Sequence, residues 1–282
     1  MMRVLTLKRN LVVLVFFGIV FLKTSYAGIV ISPSALFLNS DHRMISITAT
    51  NEGDDEREIW TEMKFGYETS NDSGKIFIYM DSLARDGLSA AAWLQCYPKR
   101  FTLRPGESQT IRIMAVPPAG ISDGEYWARV ILVSKSRQVI QPKNAQLNGA
   151  KPALTILYEQ SVPFHYRIGK VTTGLKVDSL ITALSDTSVD VYLKISRTGN
   201  ASFWGSRTLE LRDKNGTVVY KVIRNSGVYK KITTVDHINR SGITPGDYTL
   251  SVLFASEART DIPKKQLLQA QQVRASTSIT IP

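Results

Sequence analysis

The sequence predicts an all-β protein, two β-sandwich domains in tandem behind a cleaved export signal. Short alternating stretches bounded by Gly, Asn, Asp and Pro recur roughly every eight to twelve residues, as in sandwiches and barrels. No stretch sustains the 3.6-residue apolar period of an amphipathic helix. The start of the chain has the tripartite layout of a secretory signal, and the chain beyond it is too long for one small sandwich.

At that start, Arg3, Lys8 and Arg9 precede an apolar run from Leu11 to Leu22. A run of about twelve residues is too short to cross the hydrocarbon core of a bilayer as a helix, which takes about twenty. Lys23 comes next, then Ser25-Tyr26-Ala27, with small residues where a signal peptidase needs them. The expected domains are therefore a signal peptide at 1–27, a first sandwich at 28–168 and a second at 169–282. An exported, periplasmic protein with its signal cleaved near Ala27 is the localisation this predicts.

Charge and cysteine usage narrow the class further. The signal carries four basic and no acidic residues, so its loss lowers the formal charge from +11 to +7. That surplus is scattered, with no basic helix and no aromatic-flanked basic stripe of the kind that grips nucleic acid. Lys230-Lys231 and Lys264-Lys265 read as solvated strand ends. Cys96 stands alone, so the domains are held by core burial rather than by a disulfide framework, and Cys96 itself reads as a small buried residue.

Along the chain, Ile45, Ile47 and Ala49 alternate with Ser46, Thr48 and Thr50, which gives a strand with one core face and one wet face. Asn51 to Asp55 turns it, and the acidic Asp54, Asp55 and Glu56 read as a solvated turn. After Arg104-Pro105-Gly106, Ile111, Ile113 and Ala115 share one face of the next strand. The strand Tyr126 to Val133 is apolar on both faces except for Arg129, so it belongs at the centre of a sheet or beneath a covering surface. Ser134 to Lys151 reads as a long polar loop, a length that is functional or disordered in compact domains. Leu154, Ile156 and Tyr158 alternate beyond it, and Val162, Phe164 and Tyr166 resume the alternation.

In the second half, Val189, Val191, Leu193 and Ile195 alternate with polar residues. Thr208 to Arg212 and Val218 to Val222 flank Lys214-Asn215-Gly216, whose Asn-Gly pair predicts a tight hairpin. Tyr248 to Phe254 and Ser276 to Ile281 complete the series.

No residue pattern points to catalysis. His42, His165 and His237 are isolated, and no pair has metal-ligand spacing. His165 alternates out of phase with Phe164 and Tyr166 and so reads as solvent-facing. There is no G-x-S-x-G elbow, no phosphate-cradling Gly-rich loop and no H-E-x-x-H. A non-enzyme without cofactor or metal is expected.

The order of these elements resembles the PapD-like periplasmic chaperones of the chaperone-usher pilus (fimbrial) pathway, as a divergent member. The resemblance is carried by the exported start, the Ser32-Pro33 strand and the Ile45 to Asn51 strand. It continues through Pro98, Leu103-Arg104-Pro105-Gly106-Glu107-Ser108, Asp123-Gly124-Glu125-Tyr126, the long loop and the strand ending in Tyr166-Arg167. The second half adds only Thr198-Gly199-Asn200 and Pro245-Gly246-Asp247-Tyr248.

The resemblance implies two immunoglobulin-like sandwiches and a donor-strand mode of action, in which the chaperone lends a strand to an incomplete pilus subunit. Leu154, Ile156, Tyr158 and Val162 are the subunit-binding candidates, and an ordinary final strand packed within its own domain is the alternative. Each such side chain buried gives roughly 1.5–3 kcal/mol. The family's carboxylate-anchoring arginine and lysine fall near Ala35 and Pro163, neither of them cationic, which leaves Arg129 and Arg167 as cleft or junction candidates. The implied partners are pilus subunits and an outer-membrane usher, with no nucleic acid and no small-molecule substrate. A structural or adhesive surface protein of immunoglobulin-like domains is the second reading.

Overall fold

The computed structural model describes residues 28–83, 87–137, 155–256, 259 and 261–282. The signal segment, Leu154 and most of the polar loop lie outside the described residues. Among those described, regular structure is β-strand apart from two single-turn 3-10 segments.

The first sandwich is built from β1 (Ile29–Ser32), β2 (Leu36–Asn39), β3 (Met44–Asn51), β4 (Arg57–Lys64), β5 (Gly66–Ser70), β6 (Ile76–Met80), β7 (Leu94–Tyr97), β8 (Arg100–Leu103), β9 (Ser108–Ala115), β10 (Gly124–Ser136) and β11 (Leu157–Ile168). One sheet has the order β1-β3-β9-β7 and the other β2-β11-β10-β4-β8. With β1, β3, β4, β7, β9, β10 and β11 lettered A to G, these are the ABED and GFC sheets of an immunoglobulin sandwich.

The second sandwich comprises β12 (Thr173–Leu184), β13 (Ser188–Gly199), β14 (Phe203–Asp213), β15 (Val218–Val228), β16 (Lys231–Asn239), β17 (Gly246–Ala255) and β18 (Val273–Ile281). Its sheets are β12-β13-β16 and β15-β14-β17-β18, so its fourth strand, β15, joins β14 rather than the sheet of β12, β13 and β16.

Alternation explains both cores. Ile47 and Ala49 of β3 meet Ile111 and Ile113 of β9, and the opposite sheet adds Ile59, Val130, Leu132, Phe164 and Tyr166. In the second sandwich, Val189, Val191, Leu193 and Ile195 face Leu209, Leu211, Leu250, Val252 and Phe254. Each sandwich also has a tyrosine whose hydroxyl returns to the backbone just upstream. Tyr126 donates to the Ser122 carbonyl at 2.9 Å, and Tyr248 donates to that of Thr244 at 2.6 Å. These are tyrosine corners at the start of the sixth strand, and they account for the paired Gly-acid-Tyr signals at Gly124 and Gly246.

Several local expectations are corrected. Ser134, assigned above to a loop, is buried within β10, which runs on to Ser136 because β4 and β11 hold both its edges. The Asn215-Gly216 turn is wider than a tight hairpin. The Asp213 side chain accepts from the Asn215 and Thr217 N–H groups at 2.9 and 2.8 Å, so the loop spans Lys214 to Thr217. Asp55 is not solvated but turned inward, where its carboxylate accepts from Arg57 Nε at 2.8 Å.

The hairpin of β5 and β6 is announced by no alternation in the sequence. It leaves the first sandwich and rests on the second. Thr233 N–H donates to Ser70 Oγ at 2.6 Å, Thr69 Oγ1 donates to the Lys231 carbonyl at 3.3 Å, and Lys194 lies 3.6 Å from Asp72. Gly74, at φ +80°, sits against Val235 with no room for a side chain.

Candidate functional site

The candidate site is the outer edge of β11 and the domain junction beneath it. β10 pairs β11 along its whole length, from Lys135↔Leu157 to Gly124↔Ile168. On the other side, β2 pairs β11 in parallel only over Phe164 to Arg167. Among the described residues, Leu157 to Pro163 therefore present an unpaired row of backbone groups, a template for another strand.

Burial changes along this strand. Val162, Phe164 and Tyr166 point into the core of their own sandwich. Two residues before Val162 the same face is half-buried at Gln160, and at Tyr158 it is open, since the strand outruns the sandwich that it closes. Ile156, Leu157 and Tyr158 are 38%, 51% and 48% exposed.

The candidates thus separate. Ile156 and Tyr158 lie on the overhang, Leu154 is outside the described residues, and Val162, grouped with them above, belongs to the domain's own core. Leu157, on the other face, is exposed as well. The Arg57 guanidinium lies 5.4 Å from the centroid of the Tyr158 ring and steadies it.

The opposite face of β10 and β11 meets the second sandwich around Glu125, which is fully buried. Its Oε1 accepts from Trp127 Nε1 at 2.8 Å, from Ser202 N–H at 3.1 Å and from Ser202 Oγ, and it lies 3.1 Å from His165 Nδ1. Its Oε2 accepts from Arg167 Nε at 2.8 Å. Burial alone pushes this carboxyl up, but His165, Arg167 and the Ser202 hydroxyl together hold it far below the usual range.

His165 is not solvent-facing, as its phase against the core had implied, because the second sandwich covers that face. It is fully buried between Phe37 and Tyr229, whose ring centroids lie 4.6 and 5.4 Å away. Burial drives its pKa down; Glu125 opposes this and Arg167 and Arg129 reinforce it. A neutral imidazole fits the network, with Nδ1–H donated to Glu125 and Nε2 accepting from the Tyr229 hydroxyl at 3.2 Å. Burial keeps Tyr229 a phenol, far above its ordinary value.

The cations differ in role. Arg167 is a junction residue: besides Glu125 it donates Nη1 to the Gln266 carbonyl at 2.6 Å and lies 4.7 Å from the Phe37 ring centroid. Arg129 is 5% exposed, stands 5.9 Å from the Tyr229 ring centroid, and its Nε has no hydrogen-bond partner. It lies directly opposite Pro163 in the β10–β11 register. Ala35 packs with Phe37, Ile262 and Leu267.

Sequence reasoning missed Glu125, Ser202, Trp204 and Tyr229 as junction residues. The one available signal was the two-faced apolar character of β10, which required a cover without naming it. Among the described residues, no cluster of three or more His, Cys, Asp or Glu is placed to hold a metal.

No protein-family model matches the chain, and no curated protein does. Solved structures are similar to it at low identity. The YadV chaperone has 13% identity over 88% of this chain and 99% of its own, with a TM-score of 0.48. The E. coli chaperone DraB has 12% identity over 88% and 97%, with a TM-score of 0.41. The Salmonella enterica SafA pilin in complex with the SafB chaperone gives 11% identity over 89% and 96%, again with a TM-score of 0.41.

Proposed function

We propose that this protein is a periplasmic chaperone that stabilises an immature pilus or fimbrial subunit by lending it β11 as a missing strand. The carrying observation is the edge of Leu157 to Pro163, unpaired among the described residues, with Ile156 and Tyr158 projecting past the end of their own core. An incomplete sheet added at this edge gains main-chain hydrogen bonds, and its open core takes the overhanging side chains. The ordered motifs from Ser32-Pro33 to Tyr166-Arg167 support the same reading. Transfer of the subunit to an outer-membrane usher completes the proposed role.

Arg129 is the cation best placed to take a client's terminal carboxylate. It sits across the strand pair from Pro163, the position at which the family resemblance expects a lysine. The Glu125 network then serves to fix the junction rather than to perform chemistry. Nothing in the arrangement pairs a nucleophile with an accessible base, so the reading is of a non-enzyme.

The test is co-purification with a co-expressed fimbrial subunit. Ile156→Ser with Tyr158→Ser should abolish subunit capture and leave the thermal midpoint unchanged, since both positions are exposed. Undiminished capture by this folded variant would refute the donor role of β11.

A further inference from the structure

The face between the sandwiches holds a group that can change its charge in mild acid. His165 of β11 is fully buried there. Phe37 of β2 stacks on its ring at 4.6 Å between centroids, and from the second sandwich Tyr229 stacks at 5.4 Å and Trp204 meets it edge-on at 5.1 Å. The imidazole is thus enclosed by rings from both sandwiches, with no route to water while they stay together.

Both ring nitrogens are committed. Nδ1 donates toward Glu125 Oε1, 3.1 Å away, and Nε2 accepts from the Tyr229 hydroxyl at 3.2 Å. An added proton goes to Nε2, so the phenol must accept where it now donates, and its own proton loses the acceptor it has among the described residues. Glu125 has little left to offer, since Oε1 already accepts from Trp127 and Ser202 and Oε2 from Arg167. The charged groups that face the imidazole are Glu125 and Arg129 of β10 and Arg167 of β11. Around the rings that enclose it stand Arg197 of β13 over Trp127, Arg259 over Trp204, Lys230 over Tyr67 and Glu68 of β5 near Tyr229. Arg259 is paired with Asp261. Glu125 and Glu68 are therefore set against Arg129, Arg167 and Arg197, and a protonated His165 adds to an existing positive surplus in a place without water.

We propose that protonation of His165 opens the junction, parting the two sandwiches while each keeps its own fold. The separate cores allow this. Phe164 and Tyr166, on the other face of β11, pack within the first sandwich, and the second has its own cluster around Leu193 and Phe254. Hydrating the imidazole removes the conflict at the phenol and among the guanidiniums, and it requires no strand to leave its sheet. The device makes no use of the β11 overhang, so the inference does not rest on the function proposed above.

Small-angle X-ray scattering on the exported chain between pH 7.5 and 5, with far-UV circular dichroism alongside, tests it. The range ends above the ordinary 4.5 of Glu125, so that carboxyl contributes little. In the closed form burial holds His165 below its ordinary 6.5. One proton tied to opening then raises the open-to-closed ratio by up to about ten-fold per pH unit below about 6.5. The radius of gyration should rise with that dependence while circular dichroism stays unchanged, and the His165 Cε1–H resonance should titrate in step. His42→Gln with His237→Gln, both at exposed positions, should leave the rise intact. His165→Gln, whatever its radius at neutral pH, should show no rise. A constant radius in the parent, a rise accompanied by loss of circular dichroism, a His165 resonance that titrates apart from it, a rise lost with His42 and His237, or one that survives His165→Gln would each overturn the proposal.

Discussion

At the scale of single residues, the junction is governed by one carboxylate. Glu125 gathers an indole, an imidazole, a guanidinium and a serine from both sandwiches, and the neutral state of His165 completes the chain of donors to Tyr229. Both titrating groups act in the same direction on acidification. The folded pKa of His165 lies below its ordinary 6.5, so the unfolded chain takes up the proton first and stability falls as the pH drops below about 6.5. Glu125, also depressed, adds stability above its ordinary 4.5 that is lost as the pH falls toward its folded value. Denaturant titrations between pH 7.5 and 5 should show the midpoint falling with pH, and His165→Gln should flatten that slope whatever it does to the absolute stability. None of this was legible locally. The alternation placed His165 correctly away from the Phe164 face, but nothing near it in sequence announced that Tyr229 and Trp204 would cover the other side.

At the scale of elements, β11 has two parts with different duties, and substitutions should separate them. Val162→Ala, in the core, should cost about 2 kcal/mol of stability by chemical denaturation and spare the overhang. Tyr158→Ser should leave the stability within about 0.5 kcal/mol of the parent, as expected of an exposed site. The apolar alternation was plain from Ile156 to Tyr166, yet a period of two says which side chains share a face and not where the sandwich ends. That end depends on strands far away in the chain, which is why Val162 and Tyr158 looked alike. The hairpin of β5 and β6 escaped notice for a related reason. Its apolar residues run consecutively from Ile76 to Met80 instead of alternating, so no face could be assigned to it.

At the scale of the whole molecule, the contacts that join the two sandwiches include the Glu125 network, the packing of Phe37 on Ile262 and Leu267, and the docked tip at Ser70 and Gly74. Removing one member of a buried charge pair strands the other, at a cost of about 3–5 kcal/mol. Glu125→Ala should therefore convert a single calorimetric transition into two as the sandwiches uncouple. The presence of two sandwiches and the positions of most of their strands were largely legible in the sequence, because these arise from alternation and short turn signals. The way the sandwiches meet was not, since it joins residues such as Glu125 and Ser202 that lie 77 positions apart. The short parallel strand β2 carries a last implication. It occupies the β11 edge from Phe164 onward, so a strand added in the proposed donor role would stop after Pro163. At roughly 3.3 Å per residue, the edge from Leu157 to Pro163, unpaired among the described residues, measures about 23 Å. A strand taken up in the proposed donor role would have one of its ends fixed at Pro163.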